Sequence, residues 1–314
     1  MKIIIVGAGA IGRIFGIYLS KQGHELLFVD KNERVVEAIN NRGLGLMAYG
    51  SEDPEEISYT SASAVVDPSS IKDCDLVILA VKSFDTLPAS RSVAHLISEK
   101  SPILSLQTGL GNIEILEKLV GKDSIIGGFT FMAGTSLSPG VVRHGGIGKT
   151  YIGELTGQDS ARISKISKVF NESGITCDPC RRIIGRLWCK VIVYSAINPL
   201  SSILRVKNGQ LLDQMESIEL MKRLIDEGEN VAKSHAIDLV YPNLYQLLFD
   251  ACKNSQDNLS SMLQDIINGQ RTEIEALNET ITRYGKEKGV STATHETMTE
   301  LIKLMVNQAC TLKY

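Results

Sequence analysis

Short apolar runs alternate with amphipathic helical patterns along the first half of the chain, and this alternation indicates an α/β fold. The predicted strands are Lys2–Val6, His24–Val29, Asp75–Val81, Pro102–Leu106 and Ser124–Phe131. The predicted helices lie between them, at Ala10–Lys21, Glu33–Arg42, Thr86–Ile97 and Ile113–Val120. Runs such as Leu76–Val81 are apolar throughout, as is typical of strands covered on both faces. The pattern therefore predicts a doubly wound parallel sheet.

The pattern changes after Gly140, where Val141–His144 and Lys149–Gly153 predict shorter, half-exposed strands, and Ala161–Ser173 predicts one further helix. Beyond about Arg181, apolar positions recur every three or four residues, which predicts an all-helical second domain. The clearest helical patterns are Met215–His235, Leu259–Ile267, Ile274–Tyr284 and Glu296–Val306. We place the boundary at Asp178-Pro179, which gives domains of residues 1–178 and 179–314.

Composition narrows the class of protein further. The 314 residues carry a net charge of −3, so the basic surface of a nucleic-acid-binding protein is not expected. The uncharged stretch Ser124–Val142 is long enough to cross a bilayer but contains glycines and a proline, so no membrane segment is predicted. Six cysteines without an export signal indicate reduced thiols and a cytoplasmic location.

A glycine-rich turn follows the first strand and opens the first helix. Its sequence is Gly7-Ala8-Gly9-Ala10-Ile11-Gly12, and Asp30 ends the next strand 18 residues later. In this context the first glycine makes the tight turn, the second admits a pyrophosphate, and the third allows close packing of helix and strand. The helix N-terminus offers free N–H groups to the phosphates. These residues predict a dinucleotide-binding domain of the Rossmann type.

Asp30 carries information about which dinucleotide binds. A carboxylate there accepts hydrogen bonds from the adenosine ribose of NAD and repels the 2′-phosphate of NADP. Lys31 lies next to Asp30 and would offset that repulsion if it contacts the phosphate. An interpretation of Lys31 as a solvated loop lysine has equal weight. We therefore expect NAD to be preferred, or both NAD and NADP to be used.

Further motifs, taken in order, resemble the ketopantoate reductase (2-dehydropantoate 2-reductase) family over nearly the whole chain. Besides the glycine turn they are Ala80-Val81-Lys82, Thr108-Gly109-Leu110-Gly111-Asn112, Leu187-Trp188-Cys189-Lys190, Ile197-Asn198-Pro199-Leu200, Asn208-Gly209, residues 258–265 and Arg271-Thr272-Glu273-Ile274. The resemblance implies a Rossmann domain joined to a helical domain like the carboxyl-terminal domain of 6-phosphogluconate dehydrogenase, with the active site in the cleft between the two. It also implies hydride transfer to the keto carbon of a 2-oxo acid, as in pantothenate biosynthesis.

The resemblance also implies roles for individual residues. Lys190 resembles the catalytic lysine and general acid, and Glu273 resembles the facing catalytic carboxylate. The positions that resemble substrate contacts are Lys190, Tyr194, Asn198, Asn208 and Ser261. The positions that resemble cofactor contacts are Gly7, Ala8, Gly9, Ala10, Ile11, Gly12, Asp30, Lys31, Lys82, Thr108 and Ala133.

Elementary chemistry favours the same role for Lys190. Reduction of a ketone builds negative charge on oxygen, which needs a nearby cation and a proton donor. A lysine in a partly dry cleft supplies both, because burial lowers its pKa towards neutrality. Structural roles compete at other positions: a helix often ends before a proline, so Asn198 next to Pro199 is a candidate for a turn, and Ser260 or Ser261 is a candidate for a helix N-cap.

Two departures from the family pattern leave the substrate open. The family commonly has asparagine at the positions of Thr108 and Tyr194, and Tyr194 lies one helical turn beyond Lys190. The alternatives are an NAD-dependent D-2-hydroxyacid dehydrogenase of the same family that acts on another 2-oxo acid, and a regulatory protein that binds the dinucleotide without turnover. A homodimer formed through the helical domain is a further expectation.

Three other motifs are set aside. Gly148-Lys149-Thr150 lacks the earlier glycine of a phosphate-binding loop and is interpreted as a hairpin at the edge of the sheet. Cys177-Asp178-Pro179-Cys180 has no second cysteine pair and no histidine at ligand spacing, so neither a metal nor a redox role is expected. No histidine among His24, His95, His144 and His235 has an evident carboxylate partner.

Overall fold

The chain folds into two compact units in the computed structural model, which describes residues 1–51 and 53–311, with side chains to residue 308. The first unit comprises Met1–Gln107 and Asn112–Ile183, and the second comprises Thr108–Gly111 and the chain from Ile184 onward. The predicted fold class, an α/β domain followed by an all-helical domain, is confirmed. The functional boundary expected at Asp178-Pro179 stays a prediction.

The strands of the first unit form two sheets. They are β1 (Lys2–Val6), β2 (Glu25–Val29), β3 (Leu44–Met47), β4 (Ser58–Thr60), β5 (Ser63–Val65), β6 (Leu76–Leu79), β7 (Ile103–Ser105), β8 (Ile125–Thr130), β9 (Ala133–Ser138), β10 (Val141–Gly146), β11 (Thr150–Glu154) and β12 (Cys177–Pro179). The larger sheet has the order β12-β11-β8-β7-β6-β1-β2-β5. From β5 to β8 all neighbours are parallel, and this is the strand order of a dinucleotide-binding sheet.

The second sheet was not expected from the sequence. Its order is β4-β3-β10-β9, with β3 parallel to β10 and the other pairs antiparallel. The predicted hairpin around Gly148-Lys149-Thr150 is therefore wrong, because β10 belongs to this sheet whereas β11 pairs with β8 and β12 in the larger one. The prediction that β11 is half-exposed is also wrong, since four of its five residues are buried.

Helices flank the larger sheet and close the core of the first unit. They are α1 (Ala10–Ser20), α2 (Glu33–Arg42), α3 (Thr86–Val93), α4 (Asn112–Val120) and α5 (Ala161–Glu172). Phe15 of α1 meets Phe170 of α5 edge to face, and both rings are fully buried with the β-branched residues of β1. The helix expected to reach Ile97 ends instead at Val93, where a 3₁₀ turn at Ala94–Leu96 follows.

The second unit has its own apolar core, formed by amphipathic helices. They are α6 (Ile183–Leu204), α7 (Met215–Ser234), α8 (Leu244–Asn254), α9 (Ser261–Ile267), α10 (Thr280–Lys288) and α11 (Ala293–Thr311). A π-helical turn at Glu275–Glu279 leads directly into α10. Between residues 184 and 311 the structure describes no strand, as the sequence predicted.

Helix α6 lies at the centre of that core and has two unusual properties. It is the one described helix that is long and apolar enough to cross a membrane, but most of it is buried inside the protein, as in the core helix of a globular unit. It also continues through Pro199 to Leu204, so the alternative in which Asn198 lies in a turn before the proline is wrong. The group that replaces the missing proline N–H is a side chain from elsewhere in the unit.

Candidate active site

The glycine turn has the backbone geometry that a dinucleotide cradle requires. Gly7 follows β1 directly and has φ +100, a conformation that favours glycine. A Cβ on Gly12 would lie 2.0 Å from the Gly7 carbonyl oxygen, so only glycine fits there. Gly9 is the N-cap of α1, and a Cβ on it would meet no atom within 4 Å. The open space over Gly9, at the helix N-terminus, fits an approaching pyrophosphate.

Asp30 lies at the carboxyl end of β2 and is bound to the glycine turn. Its Oδ2 accepts a hydrogen bond of 2.7 Å from the Ala8 N–H, and its Oδ1 accepts one of 2.9 Å from the Asn32 N–H. Exposed Lys31 forms an ion pair of 2.7 Å with Asp85, which ends the 3₁₀ turn after β6. The Lys31 ammonium therefore already has an anionic partner.

The structure places two other predicted cofactor residues at the same edge of the larger sheet. Lys82 is half-buried, follows β6 and is the N-cap of the 3₁₀ turn Ser83–Asp85. Ala133 is half-buried and begins β9, shortly after the carboxyl end of β8. The edge at which parallel strands end is where doubly wound sheets bind their ligands.

Arg13, which the sequence reasoning missed, braces the glycine turn from inside the first unit. Its guanidinium is 3% exposed and donates to the Gly9 carbonyl at 3.2 Å. It also donates to the Ser138 and Val141 carbonyls at 2.9 and 2.6 Å, which joins α1 to the second sheet. Burial lowers the pKa of Arg13 to about 10. An arginine next to the third glycine was the available signal.

Lys190 is a cation whose pKa is strongly lowered. It lies on α6, is 6% exposed, and its Nζ donates to the Thr108 hydroxyl at 2.9 Å. Burial lowers the pKa of Lys190 to about 7, while the negative charge of Glu273 partly opposes that shift. A nearly buried lysine with a pKa of about 7 is partly protonated at physiological pH, so it can both donate and accept a proton there. The structure thus brings Lys190, Thr108 and Glu273 together.

Tyr194 and Asn198 continue the Lys190 face of α6 at intervals of four residues. The Lys190 ammonium lies 5.3 Å from the centre of the Tyr194 ring, which is a cation–π contact. Burial raises the pKa of Tyr194 to about 12, so the phenol stays protonated. Asn198 is buried, and it lies within helix α6 and not in a turn. Its main-chain carbonyl accepts hydrogen bonds from the Ser201 and Ser202 hydroxyls.

The remaining two predicted substrate residues begin the 3₁₀ turn Asn208–Leu212 and helix α9. Asn208 is buried; its Nδ2 donates to Ser255 at 2.9 Å, and its Oδ1 has no partner among the described residues. Ser260 is the N-cap of α9 and accepts from the Leu263 N–H, whereas Ser261 is exposed. The orphaned Asn208 oxygen is an acceptor that a substrate hydroxyl would satisfy.

The described part of the chain was compared with the requirements of metal and thiol sites. It holds no group of three or more His, Cys, Asp or Glu side chains at metal-ligand distances. Burial raises the pKa of Cys177 to about 12, which disfavours the reactive thiolate. His295 is fully buried, and burial lowers its pKa to about 4, so it stays neutral and uncharged.

Two family models together match most of the chain. The model of ketopantoate reductase PanE/ApbA matches residues 3–157, and the model of the ketopantoate reductase PanE/ApbA C-terminal domain matches residues 182–306. The chain belongs to the ketopantoate reductase family. Curated relatives include the 2-dehydropantoate 2-reductases of Pyrococcus abyssi and Pyrococcus horikoshii, at 34% and 35% identity over 91% of this chain and 91% of each relative.

Solved structures with the same fold include a D-mandelate dehydrogenase and ketopantoate reductases. A D-mandelate dehydrogenase with NADH and anilino(oxo)acetate superposes with a TM-score of 0.92 at 27% identity, over 99% of this chain and 100% of that one. A ketopantoate reductase from Ralstonia eutropha superposes with a TM-score of 0.88 at 27% identity over the same shares. These structural neighbours thus include a dehydrogenase bound to a ligand other than ketopantoate.

Proposed function

We propose that this chain reduces 2-dehydropantoate (ketopantoate) to pantoate with a nicotinamide dinucleotide, and that Lys190 is the general acid. The observation that carries the proposal is a nearly buried lysine with a pKa of about 7, bonded to Thr108, in a member of the ketopantoate reductase family. Such a lysine has the cationic charge and the proton that reduction of a keto group needs.

In the proposed mechanism the Lys190 ammonium binds the keto oxygen and neutralises the charge that develops there. It then transfers its proton to that oxygen, which gives the hydroxyl of the product. Glu273 orients the ammonium, and Asn198, Asn208 and Ser261 bind the substrate with neutral groups. Because the protonated lysine is the active form, the rate of reduction should be constant below about pH 7 and fall above it.

The glycine turn, Asp30 and the residues at the neighbouring strand ends would hold the dinucleotide. Gly9 leaves room for the pyrophosphate, Gly7 and Gly12 allow the close packing of the turn, and Lys82, Thr108 and Ala133 would line the nicotinamide part. When bound, the dinucleotide supplies the hydride for the keto carbon. The free thiols, the family and the balanced charge support a cytoplasmic enzyme of pantothenate biosynthesis, and a homodimer through the helical unit stays a prediction.

A second candidate is an NAD-dependent D-2-hydroxyacid dehydrogenase that acts on a different 2-oxo acid. Two observations favour it: Tyr194 places a large ring directly beside Lys190, and the D-mandelate dehydrogenase superposes closely. An aromatic side chain next to the reacting group both reduces the volume for a branched substrate and offers a surface for a planar one.

A steady-state assay with several 2-oxo acids tests the proposal. We expect kcat/KM for 2-dehydropantoate to exceed the values for phenylglyoxylate and 3-methyl-2-oxobutanoate by at least about tenfold, roughly 1.4 kcal/mol in transition-state binding. A reversed order would instead support the dehydrogenase of another 2-oxo acid. Tight NADH binding with no oxidation of NADH by any of them would support a non-catalytic binding protein.

Cofactor preference provides a separate prediction, because Asp30 and Asp85 place two carboxylates around Lys31. We expect NADH to be used with a higher kcat/KM than NADPH, since the 2′-phosphate would meet Asp30 while Lys31 is paired with Asp85. Asp30→Ala should reduce the ratio of kcat/KM for NADH to kcat/KM for NADPH by roughly 10- to 100-fold, because one hydrogen bond to a charged group has an effect of this size.

Asp73→Asn is the matched control for Asp30→Ala. Asp73 is an exposed carboxylate of the same unit that pairs with Lys2 at 2.8 Å, away from the glycine turn. The ratio of NADH to NADPH turnover should not change in this variant. Wild-type preference for NADPH, or an unchanged ratio in Asp30→Ala, would contradict the assignment of Asp30.

A further inference from the structure

The interruption of α6 at Pro199 is repaired by a side chain from another part of the second unit. Proline has no N–H, so the Ser195 carbonyl four residues earlier loses its helical donor. The Asn278 Nδ2 donates to that carbonyl at 2.9 Å. Asn278 is fully buried, and so is Ser195. The helix that carries Lys190 and Tyr194 therefore depends on Asn278 for one of its backbone hydrogen bonds.

Asn278 belongs to the π-helical turn Glu275–Glu279, which begins two residues after Glu273. The same turn presents the Ala276 carbonyl, which accepts a hydrogen bond of 2.9 Å from the Leu110 N–H. Leu110 lies two residues after Thr108, whose hydroxyl accepts from Lys190. A single π-turn thus bonds to α6 on one side and to the segment that carries the Lys190 partner on the other. Such turns are rare and often lie at functional sites.

A neutral histidine fixes the orientation of the Asn278 amide. The His295 Nε2 lies 3.0 Å from the Leu224 carbonyl, which can only accept, so Nε2 carries the proton. The His295 Nδ1 is then an acceptor and lies 3.1 Å from the Asn278 Nδ2. The two amide protons of Asn278 therefore point to His295 and to the Ser195 carbonyl, and the reversed amide would lose both bonds.

We propose that Asn278 is a positioning residue for the reaction: through its bond to the Ser195 carbonyl it holds the π-turn against α6. Glu273 lies two residues before the turn, and the turn binds the Thr108 segment through Ala276, so this attachment keeps both groups at the Lys190 ammonium. The assignment rests on the proposed role of Lys190. Asn278 would support that role of Lys190 without touching the substrate or the cofactor.

The kinetic pKa distinguishes positioning from ordinary stabilisation. In Asn278→Ala we expect kcat to fall about 10- to 100-fold and the pKa of its alkaline limb to rise by at least one unit. The reason is that a displaced π-turn lets water reach Lys190, and the loss of burial, which lowers its pKa, outweighs the loss of the Glu273 charge, which raises it. The groups that face the ammonium in this unit include Glu273, Thr108 and Tyr194, and Tyr194 stays protonated over the range measured.

Thr299→Val is the matched control. Thr299 is also buried in this unit, and its hydroxyl donates to the His295 carbonyl of its own helix at 2.8 Å. The control should lower the melting temperature but leave kcat and the kinetic pKa at their wild-type values. Equal kinetic pKa shifts in both variants would show that the loss of any buried polar group has this effect, and would overturn the proposal.

A double variant keeps the test decisive if Asn278→Ala folds poorly. Pro199→Ala supplies the missing main-chain N–H, so the Ser195 carbonyl no longer needs Asn278. Pro199→Ala/Asn278→Ala should therefore recover stability but keep the raised kinetic pKa, because the π-turn is still detached. Wild-type kcat and kinetic pKa in the folded double variant would overturn the proposal.

Direct titration of the Lys190 amine by NMR separates this proposal from the proposed function. The titration reads the pKa of Lys190 without turnover, so it applies even if 2-dehydropantoate is not the substrate. A raised amine pKa in Asn278→Ala, with the wild-type value in Thr299→Val, supports positioning. An unchanged amine pKa in Asn278→Ala contradicts it, whatever the enzyme assay shows.

Discussion

Lys190→Met should abolish turnover while raising the free energy of unfolding. The loss of the proton donor and of the cation at the keto oxygen should lower kcat by at least about 10³-fold, since each of these effects alone is worth about 10²-fold or more. The gain in stability follows from burial: a pKa near 7 instead of 10.5 means that the folded protein disfavours the charged form. Methionine has a similar shape and no charge to bury.

The stabilisation should depend on pH in a defined direction. Between about pH 7 and 10.5 the unfolded chain binds more protons at Lys190 than the folded chain does, so the stability of the wild-type protein rises with pH across this window. The advantage of Lys190→Met is therefore largest at pH 6 and decreases towards pH 10. A pKa shift of this size limits the cost of burying the charge to about 5 kcal/mol. We expect Lys190→Met to gain a few kcal/mol in the free energy of unfolding at pH 6.

Unfolding by denaturant at pH 6 and pH 10, together with steady-state assays, checks both parts. Lys233→Met is the control, because Lys233 is exposed on α7 and pairs with Glu229. It should leave turnover unchanged and shift the unfolding free energy by less than about 0.5 kcal/mol. Near-normal turnover of Lys190→Met would refute the general-acid assignment, and a loss of stability at pH 6 would refute the cost of burying the charge.

The elements that the sequence predicted well are those with a strong local pattern. Strand β1 and helix α2 have the predicted bounds because a buried apolar run and an amphipathic period mark them. Strands β3 and β4 were missed because each has three or four residues, several of them small or polar. Strand β3 also pairs with β10, which is far away in the chain, so no local signal predicts this pairing.

The candidate site shows the same division between local and tertiary information. The glycine turn and Asp30 follow from spacing and strand ends, and the structure joins them through the Ala8 N–H. The continuation of α6 through Pro199 could not be predicted, because the donor to the Ser195 carbonyl comes from Asn278, 83 residues away. Local propensity favoured a helix end at Pro199, and a tertiary hydrogen bond overrides it.

Two alanine substitutions in the glycine turn should separate folding from cofactor binding. In Gly12→Ala the new Cβ would lie 2.0 Å from the Gly7 carbonyl oxygen, which belongs to the backbone and cannot move aside cheaply. We expect a loss of more than about 3 kcal/mol in stability. In Gly9→Ala the new Cβ meets no atom within 4 Å, and Gly9 has φ −70 and ψ −170, which alanine adopts without strain.

Gly9→Ala should therefore keep the wild-type stability within about 0.5 kcal/mol and still lose at least about tenfold in affinity for NADH, because its methyl group occupies the path by which the pyrophosphate approaches the backbone. Thermal unfolding without cofactor and calorimetric titration with NADH measure the two effects independently. The two variants control each other, since one changes the fold and the other changes only the surface of the turn. Wild-type NADH affinity in Gly9→Ala would mean that the dinucleotide does not approach over Gly9, and the assignment of this turn would then fail.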